Sequence, residues 1–275
     1  MKPKWLIEDD AFPESVAPFI EAVQQLGLEY KTITQQPFVR PNFQTLFDKD
    51  DCVIFYGSLG LAKKISKQTN WVPGVYYDVP KYNCTSYYAA LGKFLLNGNY
   101  IMLPFSELQR QKEFLFECVG QDRTVFIRPN RGDKIFTGKM VLKEEYDKDI
   151  DYFGFGDIDP SELVIVSEPR NISNEWRFVV VDGEVITGSQ YRENTRVAVA
   201  AEYPQAALDF AKNIVAVYNP EPAWILDVCR TDYNEHWIME VGCFSCAGLY
   251  ACNRTVIIEK ISAIALKEWE DIFEG

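Results

Sequence analysis

Four positive charges crowd one short window. Arg128, Arg131, Lys134 and Lys139 all lie in VFIRPNRGDKIFTGKMV, residues 125–141, where Asp133 is the single acid. The chain as a whole carries a formal net charge of −12, so this window runs against its background. A solvated face usually mixes its signs, whereas clustered cations of one sign suit a small anion. If PNRGD is the loop of a hairpin, Arg128 and Lys134 face each other across its strands. Two opposed cations disfavour such a pairing, and an anion between them relieves it. Pro129 and Gly132 keep the loop tight, and the glycine permits close backbone approach to a ligand. The window contains neither of the two common glycine-rich phosphate fingerprints, so its chemistry has to be argued from charge.

Two further hairpins place charge in unusual positions. In AWILDVCRTDYNEHWIMEVG, residues 223–242, a turn centred on Tyr233-Asn234 sets Asp227 opposite Glu240. Both acids are flanked by apolar residues, and directly opposed like charges are destabilising. They need a shared proton or a cation, and a hard divalent ion such as Mg²⁺ with phosphate oxygens resolves the conflict. A register slip that turns one acid to solvent is the alternative, because the turn lacks the Asn-Gly pair that pins register. In EWRFVVVDGEVITGSQYR the Asp182-Gly183 turn is a strong two-residue signal. It predicts Arg177 opposite Gly188 and Glu175 opposite Gln190, with Glu175, Arg177, Gln190 and Arg192 on one face. This is either a solvated face with an Arg–Glu pair, or a pair of planar forks aimed at phosphate or carboxylate.

The elements that must hold these groups follow from periodicity. KWLIED reads as a strand, PESVAPFIEAVQQLG as an amphipathic helix ended by Gly27, and LEYKTI as a second strand. DCVIFYGS is a buried strand running into the helix LGLAKKISKQ. Strand and helix alternate to about residue 104, which predicts a small open α/β unit. WVPGVYYDVP reads as a loop, SYYAALGKFLLNG as a helix closed by Gly98, and SELQRQKEFLFECVG as a helix capped by Ser106 with Phe114, Leu115 and Cys118 inward. Hairpins then interleave with the helices PQAALDFAKNIVAVYN and IIEKISAIALKEWEDIF, so the second part is α+β. The expected division is 1–104 and 105–275.

Composition narrows the chemistry. The acidic balance excludes an extended nucleic-acid partner, which needs a broad basic stripe. MKPKWLIEDD lacks the apolar run of a signal peptide and no apolar stretch reaches membrane length, so no membrane partner and a cytoplasmic location are expected. Seven scattered cysteines fit a reducing compartment, and the Cys243–Cys246 pair reads as structural thiols. A single histidine, His236, excludes multi-histidine metal sites. Catalysis is expected from carboxylates, basic residues or a bound cofactor.

The order of motifs is a strand ending IRP, a glycine-containing loop, a covering strand KIFTGKMV, a connector VIVSEP, then EWRFVVVDGEVI, SQYR, ILDV and MEVGCFSCAGLY. This order resembles the ATP-grasp superfamily, and within it the clade in which arginine replaces the first ATP-binding lysine. The resemblance covers about residues 120–253, and the N-terminal unit resembles the domain that precedes an ATP-grasp core. It implies an α/β to α+β fold: a small open α/β domain followed by antiparallel sheets and helices. It implies ATP and Mg²⁺ as cofactors and a ligase joining a small-molecule or peptide carboxylate to an amine through an acyl phosphate, releasing ADP and phosphate. A phosphotransferase, or a nucleotide-binding module without turnover, are the alternatives. By the same resemblance Arg128 and Lys134 meet the ATP phosphates, and Val166, Ser167 and Glu168 form the connector that reads adenine and ribose. Arg177 and Arg192 meet the terminal phosphate or acyl phosphate, and Asp227 and Glu240 ligate the metal. Gly242 stands where the superfamily's acid–x–Asn pattern has asparagine.

Overall fold

The computed structural model describes residues 2–35, 41–133, 135–155 and 157–275. In chain order the elements begin β1 (Lys4–Glu8), α1 (Pro13–Gln25), β2 (Glu29–Ile33), β3 (Cys52–Tyr56), α2 (Leu59–Gln68), β4 (Val72–Gly74) and α3 (Cys84–Leu91). They continue with β5 (Tyr100–Pro104), α4 (Lys112–Cys118), β6 (Thr124–Pro129), β7 (Lys139–Leu142), α5 (Tyr146–Gly154) and β8 (Leu163–Ser167). The chain ends with β9 (Ile172–Val181), β10 (Glu184–Glu193), β11 (Arg196–Ala200), α6 (Gln205–Val217), β12 (Ala223–Thr231), β13 (His236–Cys243) and α7 (Arg254–Phe273). Among the described residues no helix is long and apolar enough to cross a membrane.

The chain forms two compact units that are not consecutive stretches of sequence. One comprises Met1–Asp78, Asn174–Val228 and Glu240–Gly275, and the other Val79–Ser173 and Cys229–Met239. In the first unit a parallel sheet runs in the order β2-β1-β3-β4. Its central strands are buried from Trp5 to Glu8 and from Cys52 to Tyr56 because both faces are covered, as parallel sheets require. Alternation sends Trp5, Ile7, Ile54 and Tyr56 into one core with α1 and α7. Leu6, Val53 and Phe55 go to the other face with Leu61 and Ile65 of α2. Phe19 of α1 stacks on Tyr56 with ring centroids 4.6 Å apart. Removing such a ring costs about 3–5 kcal/mol. The antiparallel sheet has the order β11-β10-β9-β12-β13, and Val179, Val181, Ala223 and Ile225 join the Trp5–Phe19 core. In the second unit the antiparallel order is β5-β8-β6-β7, and α4 and α5 cover one face through Leu115, Phe116, Tyr146 and Ile150.

Several elements differ from the sequence expectation. The segment read as a loop at 71–80 contains β4, which pairs in parallel with β3. Helix α3 ends at Leu91 and gives way to a 3₁₀ turn, so Gly98 does not close it. The helix expected from residue 106 is only α4, preceded by a 3₁₀ turn at Phe105–Glu107, and Ser106 instead donates its backbone N–H to the Pro160 carbonyl at 3.0 Å. This late start rephases the apolar stripe. Leu115 and Phe116 turn inward, while Phe114 is half exposed and Cys118 is exposed.

Candidate active site

The β9–β10 hairpin turns where its sequence indicates. Asp182 and Gly183 take φ of +50° and +76°, the left-handed pair of a type I′ turn. The register beyond the turn is not the simple one. Glu184 pairs with Val181 and Val185 with Val180, but the ladder then shifts, and again between Gln190 and Arg192. Arg177 consequently lies opposite Ser189 rather than Gly188, and Glu175 opposite Arg192 rather than Gln190. Gln190 moves to Trp176 and leaves the charged face, where its Oε1 accepts from Asn174 Nδ2 at 3.1 Å. Each bulge adds one residue to one strand and reverses the facing of everything after it.

Arg177 sits in a fully furnished pocket of the first unit. Its Nε and Nη2 donate to the two oxygens of Asp227 at 2.9 and 2.7 Å, and Nη1 donates to the Gly248 carbonyl at 2.7 Å. The guanidinium carbon lies 5.7 Å from the Tyr191 ring centroid and 5.1 Å from that of Tyr250. Those two rings stack on each other with centroids 4.9 Å apart. Burial works against charge on Arg177, yet the carboxylate of Asp227 outweighs it and holds the pKa above the ordinary value. Asp227 is 5% exposed and accepts this bidentate fork, which is the strong form of an Arg–carboxylate pair. The cation that its apolar surroundings demanded is therefore supplied, at least for Asp227, by the protein itself.

Glu175 and Arg192 form the second pair. Arg192 Nε is 3.7 Å from Glu175 Oε1, and Glu175 is buried while the Arg192 side chain is 47% exposed. Burial pushes the Glu175 carboxyl above its usual range, the charge of Asp227 adds to that, and Tyr191 and Arg192 oppose it. The Tyr191 phenol, hydrogen-bonded to Glu175, is pushed upward by burial and by both carboxylates, so it stays a neutral donor. Tyr191 and Tyr250 were not singled out from sequence. The signal that could have found Tyr191 is its place between Gln190 and Arg192, where a bulge was not foreseen.

The β12–β13 hairpin also turns differently from expectation. Asn234 N donates to the Thr231 carbonyl at 2.9 Å, Thr231 N donates to the Glu235 carbonyl at 3.0 Å, and Asn234 has φ of +61°. This is a turn over Asp232-Tyr233 followed by a left-handed bulge residue, not a turn centred on Tyr233-Asn234. Glu240 is half-buried on β13, and two residues on, a Cβ built at Gly242 would meet nothing within 4 Å. Packing does not forbid a side chain there.

In the second unit Arg128 is 9% exposed near the end of β6, and its Nη1 donates to the carbonyl of Met239 at 3.1 Å. The expected pairing of Arg128 with Lys134 falls on a residue outside the described residues. The β6–β7 ladder sets Ile127 opposite Lys139, and a Cβ on Gly138 would come within 3.2 Å of the Arg128 Cβ. Arg131 and Lys139 of the basic window each meet acids, near and distant in sequence. Arg131 Nε donates to Asp133 at 2.8 Å and its Nη1 lies 3.6 Å from Glu162, while Lys139 donates to Asp149 at 2.6 Å. Arg131 and Lys139 are thus answered by acids in three dimensions, and Arg128 is buried. Val166 and Ser167 of β8 are fully buried, and Asn97 Nδ2 donates to Ser167 Oγ at 2.8 Å. Glu168 pairs with Arg170 and lines a cavity of 680 Å³ together with Thr124, Met140, Thr231 and Tyr233. The buried Thr231 hydroxyl at this cavity has no hydrogen-bond partner among the described residues. The Cys243–Cys246 pair is reduced, and burial pushes the Cys246 thiol well up, as a structural thiol requires.

Comparison with known proteins gives a consistent picture. The sequence model described as ATP-grasp domain, R2K clade family 2, matches residues 109–259. No curated protein sequence matches the chain. Among solved structures, the D-cycloserine synthetase DcsG is similar over 96% of this chain and 99% of its own, with 12% identity and a TM-score of 0.64. D-alanine–D-alanine ligase from Bacillus anthracis, complexed with ATP, is similar over the full length of both chains at 14% identity and a TM-score of 0.62. A RiPP-associated ATP-grasp ligase from Chryseobacterium gregarium, in complex with ADP and a leader and core peptide, covers 100% of this chain and 97% of its own at 11% identity and a TM-score of 0.55. At such identities the likeness establishes the fold.

Proposed function

The chain belongs to the ATP-grasp superfamily, and from that premise we propose that it is an ATP- and Mg²⁺-dependent carboxylate–amine ligase. The observation that carries this reading is the family match over residues 109–259, which takes in Arg128, Arg177, Arg192, Asp227 and Glu240. The solved ligases with the same fold are in keeping with it. Residues 105–275 then form the ATP-grasp domain and residues 1–104 the α/β domain before it.

Arg128, with Lys134, binds the phosphates of ATP, its planar fork being suited to phosphate oxygens. The connector Val166-Ser167-Glu168 receives the adenine and ribose, and the Glu168-lined cavity has the polar lining that hydroxyl groups need. Asp227 and Glu240 are hard oxygen donors, and they suit Mg²⁺ completed by phosphate oxygens. Among the described residues no group of three or more acidic, histidine or cysteine side chains could hold a metal alone, so part of the donor set belongs to the nucleotide. Each Asp227 oxygen has a lone pair left after the Arg177 fork. When bound, the ion supplies neutralisation of phosphate charge. Arg177 fixes the Asp227 rotamer, and the exposed fork of Arg192 is available to the terminal phosphate or acyl phosphate. Phosphoryl transfer asks mainly for positioning and charge stabilisation, so no histidine base is required.

Supplying acids and amines in pairs and following ADP tests the reading. Release that needs both partners, with mass spectrometry identifying the amide, supports it. A phosphorylated product formed without amine makes the chain a phosphotransferase. ATP binding without turnover makes it a binding module, the reading that Gly242 favours.

A further inference from the structure

The residues that hold the 129–133 loop have no role in the reading above. Asn130 is 7% exposed and is held by polar contacts within the second unit. Its backbone N donates to the Leu163 carbonyl at 3.0 Å, its carbonyl accepts from Cys84 N at 2.8 Å, and its Oδ1 accepts from Thr85 N at 2.9 Å. Cys84 and Thr85 open α3, so Asn130 serves two donors that a helix start leaves without intrahelical partners. Asn83 answers in the opposite direction. Its Oδ1 accepts from Gly132 N at 3.1 Å, although it makes no side-chain cap to its own helix. A Cβ at Gly132 would stand 2.8 Å from the Tyr82 Cβ, so the loop backbone lies directly against Tyr82.

We propose that Asn130, with Asn83, is a positioning residue for ATP. It docks residues 129–132 onto the start of α3 and thereby fixes Arg128, two residues earlier, in its binding geometry. A glycine-containing loop left free would lose conformational entropy when the nucleotide arrives, and docking it beforehand removes that cost from binding. The inference rests on Arg128 binding ATP. A purely structural Asn130 would change stability and leave ATP affinity alone, which makes the two roles separable.

The test is calorimetric titration of the whole chain with ATP and Mg²⁺, alongside thermal unfolding, for wild type, Asn130→Ala, Asn130→Asp, Arg128→Ala and the double variant. Asn130→Ala is expected to weaken ATP affinity about tenfold, the scale of one buried hydrogen bond. Asn130→Asp keeps the acceptor and suits a helix N-terminus, so it should return affinity to within about threefold of wild type. In the Arg128→Ala background the Asn130→Ala change should add less than about twofold, because coupled residues are not additive. A lowered unfolding temperature with unchanged ATP affinity overturns the proposal, as does full additivity with Arg128→Ala. If Asn130→Ala does not fold, Asn83→Ala removes only the acceptor of Gly132 N, and unchanged affinity in that variant overturns it equally. A wild-type chain that binds no ATP removes the nucleotide reading first, and this role with it.

Discussion

Replacing Asp227 by Asn separates two jobs that one carboxylate performs. Arg177 is buried against Tyr191 and Tyr250 and gives both faces of its fork to Asp227, at 2.9 and 2.7 Å. Asparagine fills the same volume and keeps one oxygen, but it leaves the guanidinium without its counter-ion. Removing one partner of a buried pair costs about 3–5 kcal/mol. The retained oxygen and the nearby Glu175, relieved of Asp227's charge, place this case at the lower end, about 3 kcal/mol. For a chain of this size that corresponds to a fall in unfolding temperature of roughly 6–12 °C. Differential scanning calorimetry reads it, and ADP release measured well below that temperature reads the loss of Mg²⁺-dependent activity. Arg177→Met combined with Asp227→Leu should recover more than about half of the stability, because neither charge is then stranded, while activity stays absent. Glu240→Gln on half-buried β13 should lose the same activity with a stability change of about 1 kcal/mol or less. An Asp227→Asn protein that melts within about 2 °C of wild type refutes the structural account of the pair. Wild-type turnover in it removes Asp227 from the chemistry.

Three other outcomes follow from the structure. Arg128→Ala deletes a charge-assisted contact and should weaken ATP binding by about one to two orders of magnitude, and unchanged calorimetric affinity would overturn its role. Gly242→Asn enters open space without strain, so it should leave the unfolding temperature within about 2 °C of wild type and lower the Mg²⁺ concentration needed for half-maximal ADP release. No change in that concentration would show that the position does not act on the metal. Burial, with the charges of Glu221 and Asp271 adding, raises the Glu268 carboxyl in the folded chain despite its hydrogen bond from Tyr76. The folded state thus binds the proton more tightly than the unfolded state, and this group's contribution falls as pH rises through the raised value. Glu268→Gln should therefore stabilise the chain near neutral pH, by of order 1 kcal/mol, with the gain disappearing below the ordinary glutamate range. A gain that persists unchanged into acid would contradict this account.

The chain's own chemistry determined its element types and the family they form. Trp5, Ile7, Ile54 and Tyr56 alternate with Leu6, Val53 and Phe55, and such uniformly apolar strands between helices admit only a parallel sheet covered on both faces. The Asp182-Gly183 turn was equally legible, because φ values above zero are tolerated by few residue types. Arg128, Arg177, Arg192, Asp227 and Glu240 were visible as charges in apolar strands. What each charge touches was decided only by the tertiary structure. Bulges in β10 carry no sequence mark, since they depend on twist and on packing, and they moved Arg177 to Ser189 and Glu175 to Arg192. The same holds for the basic window, whose Arg131 and Lys139 are answered by Glu162 and Asp149. Coulomb attraction acts through space, so a charge run read along the chain says nothing of acids that folding brings beside it.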